Sequence, residues 1–500
     1  MVQSWKNAQI MNVNSKLVLD LNQDPDNPVT QRESDPNKDS QRWDITVVEG
    51  DRCLIENVQN RNILAPNGEW ELVFEPKGAT GQQWTLATPP QGGDVYYIEN
   101  PKSTDHHVLE VAGSSTQPGA LVDQFQKNQP ATANQQWELI GSPVPPVRPG
   151  SIRAWGYNGH GELGVGDTTD RHTPVAVKDL TTVTAIATGD NHTLALLADG
   201  SVQAWGSNDH GQLGDGTTIE RHTPVAVTGL SNATAIAAGV ESHCLALLAD
   251  GSVQAWGWNY RGQLGDGTTI ERHTPVAVTG LANVTAIAAG VEHSLALLED
   301  GSVRAWGGNV YGQLGVGDTT DRHTPVAVKD LTTVKAIAAG QNHCLALLAD
   351  GSVRAWGWNG FGQLGVGDTT ERHTPVAVAG LANVTAIAAG GSHCLALLAD
   401  GSVRAWGWNL YGQLGVGDTT ERHTPVAVTD LTTAIAIAIA IGAYHSLALL
   451  EDGSVRAWGN NGFGQLGVGD TTDRHTPVAV TDLTTVTAIA AGHQHSLAVV

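Results

Sequence analysis

Between Ser151 and Val500 the apolar positions fall into short runs that return in the same order about every fifty residues. One copy shows all of them. Val384-Thr-Ala-Ile-Ala-Ala-Gly390 is small in side-chain volume, His393-Cys-Leu-Ala-Leu-Leu398 is apolar at consecutive positions, and Ser402-Val-Arg-Ala-Trp-Gly407 and Pro375-Val-Ala-Val378 are shorter apolar patches. Each run is too short for a helix and suits a strand, so the pattern predicts four strands per copy, the number in a propeller blade. Asp400-Gly401 supplies the two-residue turn of a hairpin between the leucine-rich run and the tryptophan run. The alanine-rich strand fits the crowded axis and is predicted innermost; the leucine-rich strand, apolar on both faces, is predicted between neighbouring blades. The seven equivalent tryptophans (Trp155, Trp205, Trp256, Trp306, Trp356, Trp406 and Trp458) are predicted to pack there too. In the sixth copy Thr432 to Ile441 runs two residues long, which predicts a bulge or an extended inner strand.

Closure follows from the ends of the array. Six hairpins are whole and the seventh is split: Ser151-Ile-Arg-Ala-Trp155 has the second strand alone, and His495-Ser-Leu-Ala-Val-Val500 the first alone. An open stack would leave both as bare sheet edges, whereas a ring lets them pair. The reading is therefore an all-β chain whose residues 151–500 form a closed seven-bladed propeller, with strand 151–156 paired to strand 495–500.

Residues 1–141 have a different texture. Gln41-Arg42-Trp43, Gln82-Gln83-Trp84 and Gln135-Gln136-Trp137 mark three units of short strands and polar loops, which predicts an all-β domain with threefold pseudo-symmetry. The tryptophan fills a shared core, and the glutamine two places earlier satisfies loop backbone. Residues 142–150, Ser-Pro-Val-Pro-Pro-Val-Arg-Pro-Gly, read as an extended linker without sheet partners.

The formal charge of −23 sets long-range electrostatics against nucleic-acid phosphates and anionic lipid. The four cysteines are Cys53 and, at matching places in separate copies, Cys244, Cys344 and Cys394; that spacing predicts free thiols and a reducing compartment. The N-terminus has no apolar stretch like a secretory signal, and the longest apolar run, Ala434 to Ile441, is too short to cross a bilayer. A cytoplasmic, monomeric protein without membrane insertion is expected, non-classical export aside.

The three Gln-x-Trp phrases make residues 1–141 resemble the ricin-type β-trefoil lectins. In that family a sugar site combines an acidic residue after the leucine of an early strand, an aromatic platform, and an Asn-Gln amide pair. The resemblance implies a site at the third unit with Glu110 as the acid, Phe125 as the platform, and Asn134 and Gln135 as the amides. Such types suit a pyranose, whose C–H face lies on a ring while its hydroxyls meet carboxylate and amide. The first unit keeps Asp20 and Gln41 but has Arg32 and Ser40 where platform and asparagine are expected, and the second has Ala65 in the acidic slot. The alternative is a trefoil that keeps its core and binds no glycan.

The fifty-residue copies resemble the repeats of the regulator-of-chromosome-condensation family across 151–500. The resemblance implies a seven-bladed propeller that binds proteins. The family's founding member exchanges nucleotide on the small GTPase Ran and binds chromatin, and a bacterial relative inhibits β-lactamases. This chain shows no inserted wedge loop of the kind used for exchange, and its charge opposes chromatin.

Near-identical copies provide an internal control, since positions kept for packing are the same in all of them. Differences concentrate after Ala-Trp-Gly and just before the strand histidine, both at the end of the blade opposite the Asp-Gly turn. Aromatics and arginine dominate there, as at interface hot spots. The predicted protein-binding face comprises Tyr157, His160, Trp258, Tyr260, Arg261, Tyr311, Trp358, Phe361, Trp408, Tyr411, Tyr444 and Phe463. The competing reading is that these residues pack over the ring mouth or have simply drifted. Seven histidines open the leucine-rich strands and seven lie in Arg-His-Thr-Pro; sevenfold repetition suits a structural hydrogen bond to backbone, not the convergent ligands of a metal. No cofactor, metal or catalytic motif is read from the chain, and the Asp of each Gly-Asp-Gly-Thr-Thr or Val-Gly-Asp-Thr-Thr loop is assigned to a turn. The leading expectation is a non-enzymatic binding protein, glycan on the trefoil and an unidentified protein on the propeller. Its alternatives are an inhibitor or scaffold that uses the propeller alone, a guanine-nucleotide exchange factor, and a lectin-linked hydrolase.

Overall fold

In a computed structural model of the chain, the described residues are 150–500 apart from 241 and 440–443, together with thirteen strands in the first 149. The chain divides into two compact units, Met1–Val147 and Arg148–Val500.

In the first unit Ser4–Asn12 pairs with Trp43–Glu49, which pairs with Arg52–Asn57; Trp84–Ala87, Val95–Glu99 and Trp137–Ile140 follow in turn, and the last pairs back with Ser4–Asn12. That ring of antiparallel strands is a closed barrel. Three hairpins hang from it: Val18–Leu21 with Val29–Arg32, Ile63–Asn67 with Glu71–Glu75, and His107–Val111 with Val122–Gln126. Barrel plus three hairpins is the β-trefoil, and each tryptophan of a Gln-x-Trp phrase begins a barrel strand. Ile55 and Ile98 are fully buried. Within the proline-rich stretch Pro143–Val144 forms a short strand against Ser4–Trp5, so this part does find a sheet partner; proline, which has no N–H to donate, is tolerated at such an edge.

The second unit is seven four-stranded antiparallel sheets. The first blade runs Val183–Thr188, His192–Leu197, Val202–Gly206, Arg221–Ala226 from the axis outward. The alanine-rich strands line the axial channel, with Ala187, Ala238, Ala289, Ala339 and Ala389 among the residues facing it. Sequence contiguity misleads at the outer strand. In the copy used above, the strand is Arg372–Ala377, and it pairs with the preceding Val353–Gly357 instead of joining the blade of the alanine run that follows it. The last blade closes the ring, Ile152–Gly156 pairing with His495–Val499 from Ile152↔Val499 to Gly156↔His495. In the sixth copy the inner strand, Ala434–Ala438, is one residue shorter than its counterpart Val384–Ala389; the proposed extension is not in the strand, and residues 440–443 lie outside the described residues.

The core lies between blades. Leu295, Leu297, Val303 and Ala305 of one blade pack with Cys344, Ala346 and Trp356 of the next, and the same arrangement returns around the ring. All seven equivalent tryptophans are fully buried there. Each indole N–H donates to a carbonyl in the loop of the neighbouring blade, as in Trp306 to Gln263 O at 2.8 Å and Trp356 to Gln313 O at 2.9 Å.

Candidate functional site: the loop end of the propeller

The loop after Ala-Trp-Gly is held by buried polar side chains that repeat in every blade. In the fourth, the Asn359 amide nitrogen donates to the carbonyls of Asp368 and Thr370, and its Oδ1 accepts from Leu364 N–H at 2.9 Å. Asp368 in turn accepts from Thr370 N–H and from Arg372. The loop aspartates therefore close turns and receive the arginine of Arg-His-Thr-Pro. Glycine is required where the loop meets the next blade: Gly211 has φ 72°, and a Cβ there would lie 2.6 Å from the His273 backbone. A framework this constrained presents its variable positions at fixed places.

Those positions do share one end. Trp358 N–H donates to Asn342 O at 2.8 Å, Trp408 to Ser392 O at 2.9 Å, and Asn460 to Tyr444 O at 2.8 Å. The residue after Ala-Trp-Gly is thus bonded to the residue before the strand histidine, and both lie away from the Asp-Gly turns.

On this end the aromatics touch in series. Tyr311 and Trp358 have ring centroids 6.0 Å apart, Trp358 and Phe361 5.4 Å, Phe361 and Trp408 5.5 Å with the rings stacked, and Trp408 lies 5.8 Å from Tyr411. Tyr444 continues the string, 4.8 Å from Trp408 and 5.9 Å from His493. Tyr157 meets Phe463 at 5.0 Å and His160 at 6.5 Å, and Trp258 lies tilted against His210 at 4.2 Å. The rings of the string are half-buried, flush with the surface and outside the cores between blades. Beside them Tyr260 is 66% exposed, Leu410 57% and Val310 49%, which makes the patch open to a partner.

Charge on this end is mostly acidic. The residue before Arg-His-Thr-Pro is Asp or Glu in every copy. Arg261 is flanked by two carboxylates, Asp321 at 3.2 Å and Glu292 at 3.6 Å, with its guanidinium carbon 5.4 Å from the Tyr260 ring centroid. His493 pairs with Asp190. Sequence reasoning passed over Glu162, which stands where the other copies have glutamine and is fully buried. Its Oε2 accepts from His160 N–H at 2.8 Å, and its Oε1 has no partner. Burial, helped by Asp170 and Asp190, pushes its carboxyl up to about 8 against the pull of its backbone hydrogen bonds. The clue was a single Glu among six glutamines.

The strand histidines form a second ring beneath the loops. His243 Nε2 lies 3.1 Å from Ser294 Oγ and His343 Nε2 3.0 Å from Cys394 Sγ, and His495 closes the circle on Thr193 Oγ1 at 3.2 Å. Each hydroxyl or thiol passes its own hydrogen to the loop carbonyl that also receives the indole, as Ser294 does to Gln263 O at 2.9 Å. The immediate partner is thus a side chain of the next blade and not backbone, as sequence reading had it; backbone is reached one step later. Because the serine donates onward, the histidine donates from Nε2 and is neutral, and burial depresses its pKa to about 3 at His243. Cys244, Cys344 and Cys394 are free and buried, with burial pushing each thiol up. Among the described residues no group of three or more His, Cys, Asp or Glu is placed to hold a metal ion. Nor does any helix there have the length and apolarity to cross a membrane.

Of the expected glycan residues, Asp20, Glu110 and Phe125 lie on described strands, where Glu110 is opposite Asp123 and Phe125 opposite Val108; their side chains lie outside the described residues. Gln41, Asn134 and Gln135 lie outside them altogether.

A closed ring of seven blades with a polar-pinned loop end defines a seven-bladed β-propeller. Known proteins place it further. Residues 241–498 match the RCC1-like domain, 149–196 and 199–247 the Regulator of chromosome condensation (RCC1) repeat, and 78–146 the Ricin-type beta-trefoil lectin domain-like model. The chain belongs to the RCC1-like domain family, with a ricin-type trefoil ahead of the propeller. It is 36% identical over 132 residues to the ultraviolet-B receptor UVR8 of Arabidopsis thaliana, which is 26% of this chain and 30% of the receptor. It is 44% identical over 62 residues to the human E3 ubiquitin-protein ligase HERC2, 12% of this chain and 1% of the ligase. It therefore matches less than a third of either curated relative. Yeast RCC1 (Prp20), in its crystal structure bound to Kap60, superposes with a TM-score of 0.62 at 28% identity, over 70% of this chain and 88% of that one. Human WBSCR16 gives a TM-score of 0.62 at 26% identity, over 70% and 98%.

Proposed function

We propose that the chain is a non-enzymatic binding protein that seats a protein partner on the loop end of its propeller and a glycan on the third trefoil unit. The observation that carries the first part is the string of half-buried rings from Tyr311 to Tyr444, built from positions the blades do not need for packing. Rings fixed by one another lose little side-chain freedom on docking, which is why such residues dominate hot spots. The yeast relative, captured with a protein partner, supports this use of the fold. Affinity capture with the full chain tests it. Trp358→Ala with Trp408→Ala is expected to cut recovery of a partner by at least about tenfold at unchanged melting temperature; equal recovery contradicts the face.

Glycan recognition rests on the trefoil fold and on Glu110 and Phe125 standing on the two strands of one hairpin. On immobilised galactose-type glycans the full chain is expected to be retained and Glu110→Ala to be released. No retention of the parent protein leaves the propeller-only inhibitor or scaffold as the reading.

A further inference from the structure

The position directly before each Gly-Gln-Leu-Gly motif (Gly-Glu-Leu-Gly in one copy), three places before its Leu, divides the ring into two kinds of blade. Its occupants, each directly followed by that motif's first Gly, are His160, His210, Arg261, Tyr311, Phe361, Tyr411 and Phe463. The basic three each reach the acidic residue of the next blade: His160 Nδ1 is 3.4 Å from Glu220, His210 Nδ1 3.1 Å from Glu271, and Arg261 Nη1 3.2 Å from Asp321. The aromatic four stand at the same repeat position relative to Glu371, Glu421, Asp473 and Asp170 and bring them no basic side chain. Glu220 shows what is missing. Its Oε2 takes His160 and its Oε1 takes His222, whereas Glu371 and Glu421 have only Oε1 engaged, by His373 and His423 of their own strands. Among the described residues Asp473 and Asp170 form no ion pair and accept only backbone N–H, from Asn461 and Asn158.

We infer that an arginine-bearing segment of the protein partner lies across the aromatic half, its guanidinium groups on Tyr311, Phe361, Tyr411 and Phe463 and bonded to Glu371, Glu421, Asp473 and Asp170. The inference rests on the protein-binding reading of this end and names its ligand chemistry. Arg261 shows the fit within the chain itself: a guanidinium between two carboxylates and over a tyrosine ring. A planar cation suits both partners, stacking on the ring and forking to the carboxylate. Spacing is compatible as well. Phe361 and Tyr411 are joined through Trp408 by centroid steps of 5.5 and 5.8 Å, so they lie no farther apart than about 11 Å, close to the roughly 10–11 Å that three extended residues span.

The test is fluorescence anisotropy of the full chain with a labelled peptide carrying arginine at every third residue among glycine and serine. Its citrulline counterpart keeps shape and hydrogen bonding without charge. The arginine peptide is expected to bind at least about tenfold more tightly than the citrulline one. Phe361→Arg with Tyr411→Arg, which gives these blades an internal arginine like Arg261, is expected to remove that preference. Ala349→Arg with Ala399→Arg, exposed beside the Asp-Gly turns, adds the same charge and is expected to change affinity less than about threefold. Equal affinity for the two peptides, or equal loss in both double variants, overturns the inference. So does dimerisation of the full chain that the Phe361 and Tyr411 changes abolish, which would assign the patch to a second copy. If Trp358→Ala with Trp408→Ala loses a captured partner while the two arginine substitutions and the arginine peptide leave that capture intact, the face stands and the cationic ligand falls.

Discussion

At the scale of single residues Glu162 is the most informative departure from the repeat. Folding takes its carboxyl out of water, so the folded protein keeps the proton that the unfolded chain gives up above the ordinary glutamate pKa. With the folded pKa raised, stability falls as pH climbs from about 4.5 to about 8 and is unaffected below that window. Glu162→Gln restores the residue of the other six copies and removes this term. Denaturant melts at pH 6 and pH 8, where the propeller is folded, are expected to show a gain that grows from about 2 to about 4 kcal/mol; an equal effect at both contradicts the assignment. This residue also marks a limit of sequence reading. Glu162 was visible as an odd letter, but its meaning needed the burial of its carboxyl and the nearby charges of Asp170 and Asp190, the latter on the neighbouring blade.

At the scale of elements, the His-to-hydroxyl or thiol relay ties each leucine-rich strand to the next. Cysteine, serine and threonine all serve at the receiving position because each accepts one hydrogen bond and donates another. Cys344→Ser is therefore expected to change stability by less than about 0.5 kcal/mol, while Cys344→Val, which leaves the His293 donor and the Gln313 carbonyl one partner short, costs about 1–3 kcal/mol in denaturant melts. Equal effects would mean that volume and not the relay matters. Strand types, the Asp-Gly hairpins and the innermost place of the alanine run were legible because periodicity and side-chain volume are local. The pairing of Arg372–Ala377 with the strand before it was not, since a linear repeat has no marked beginning and either neighbour satisfies the pattern.

For the molecule as a whole, closure makes seven local arrangements stand or fall together. The split hairpin in the sequence already implied the ring, and the pairing of Ile152–Gly156 with His495–Val499 supplies it. One consequence is acid sensitivity. Burial holds His192 near 4 and His243, His293, His343, His393, His445 and His495 near 3. Depressed folded values mean that this stability is complete above about pH 6.5 and is lost as pH falls towards 3–4, because the unfolded chain takes up the protons first. The propeller is expected to unfold cooperatively between about pH 6 and pH 4, with several protons bound per transition. A shallow transition near pH 3 would show that the ring does not carry that cost.

Hydrogen–deuterium exchange of the full chain with and without a bound partner reads which end of the propeller the partner meets. Protection is expected in residues 307–313, 357–363 and 407–413, where the variable aromatics lie, with little change at the Asp-Gly turns near 350 and 400. Protection confined to those turns or to residues 1–147, with the three loops unchanged, would place the partner away from the aromatic end.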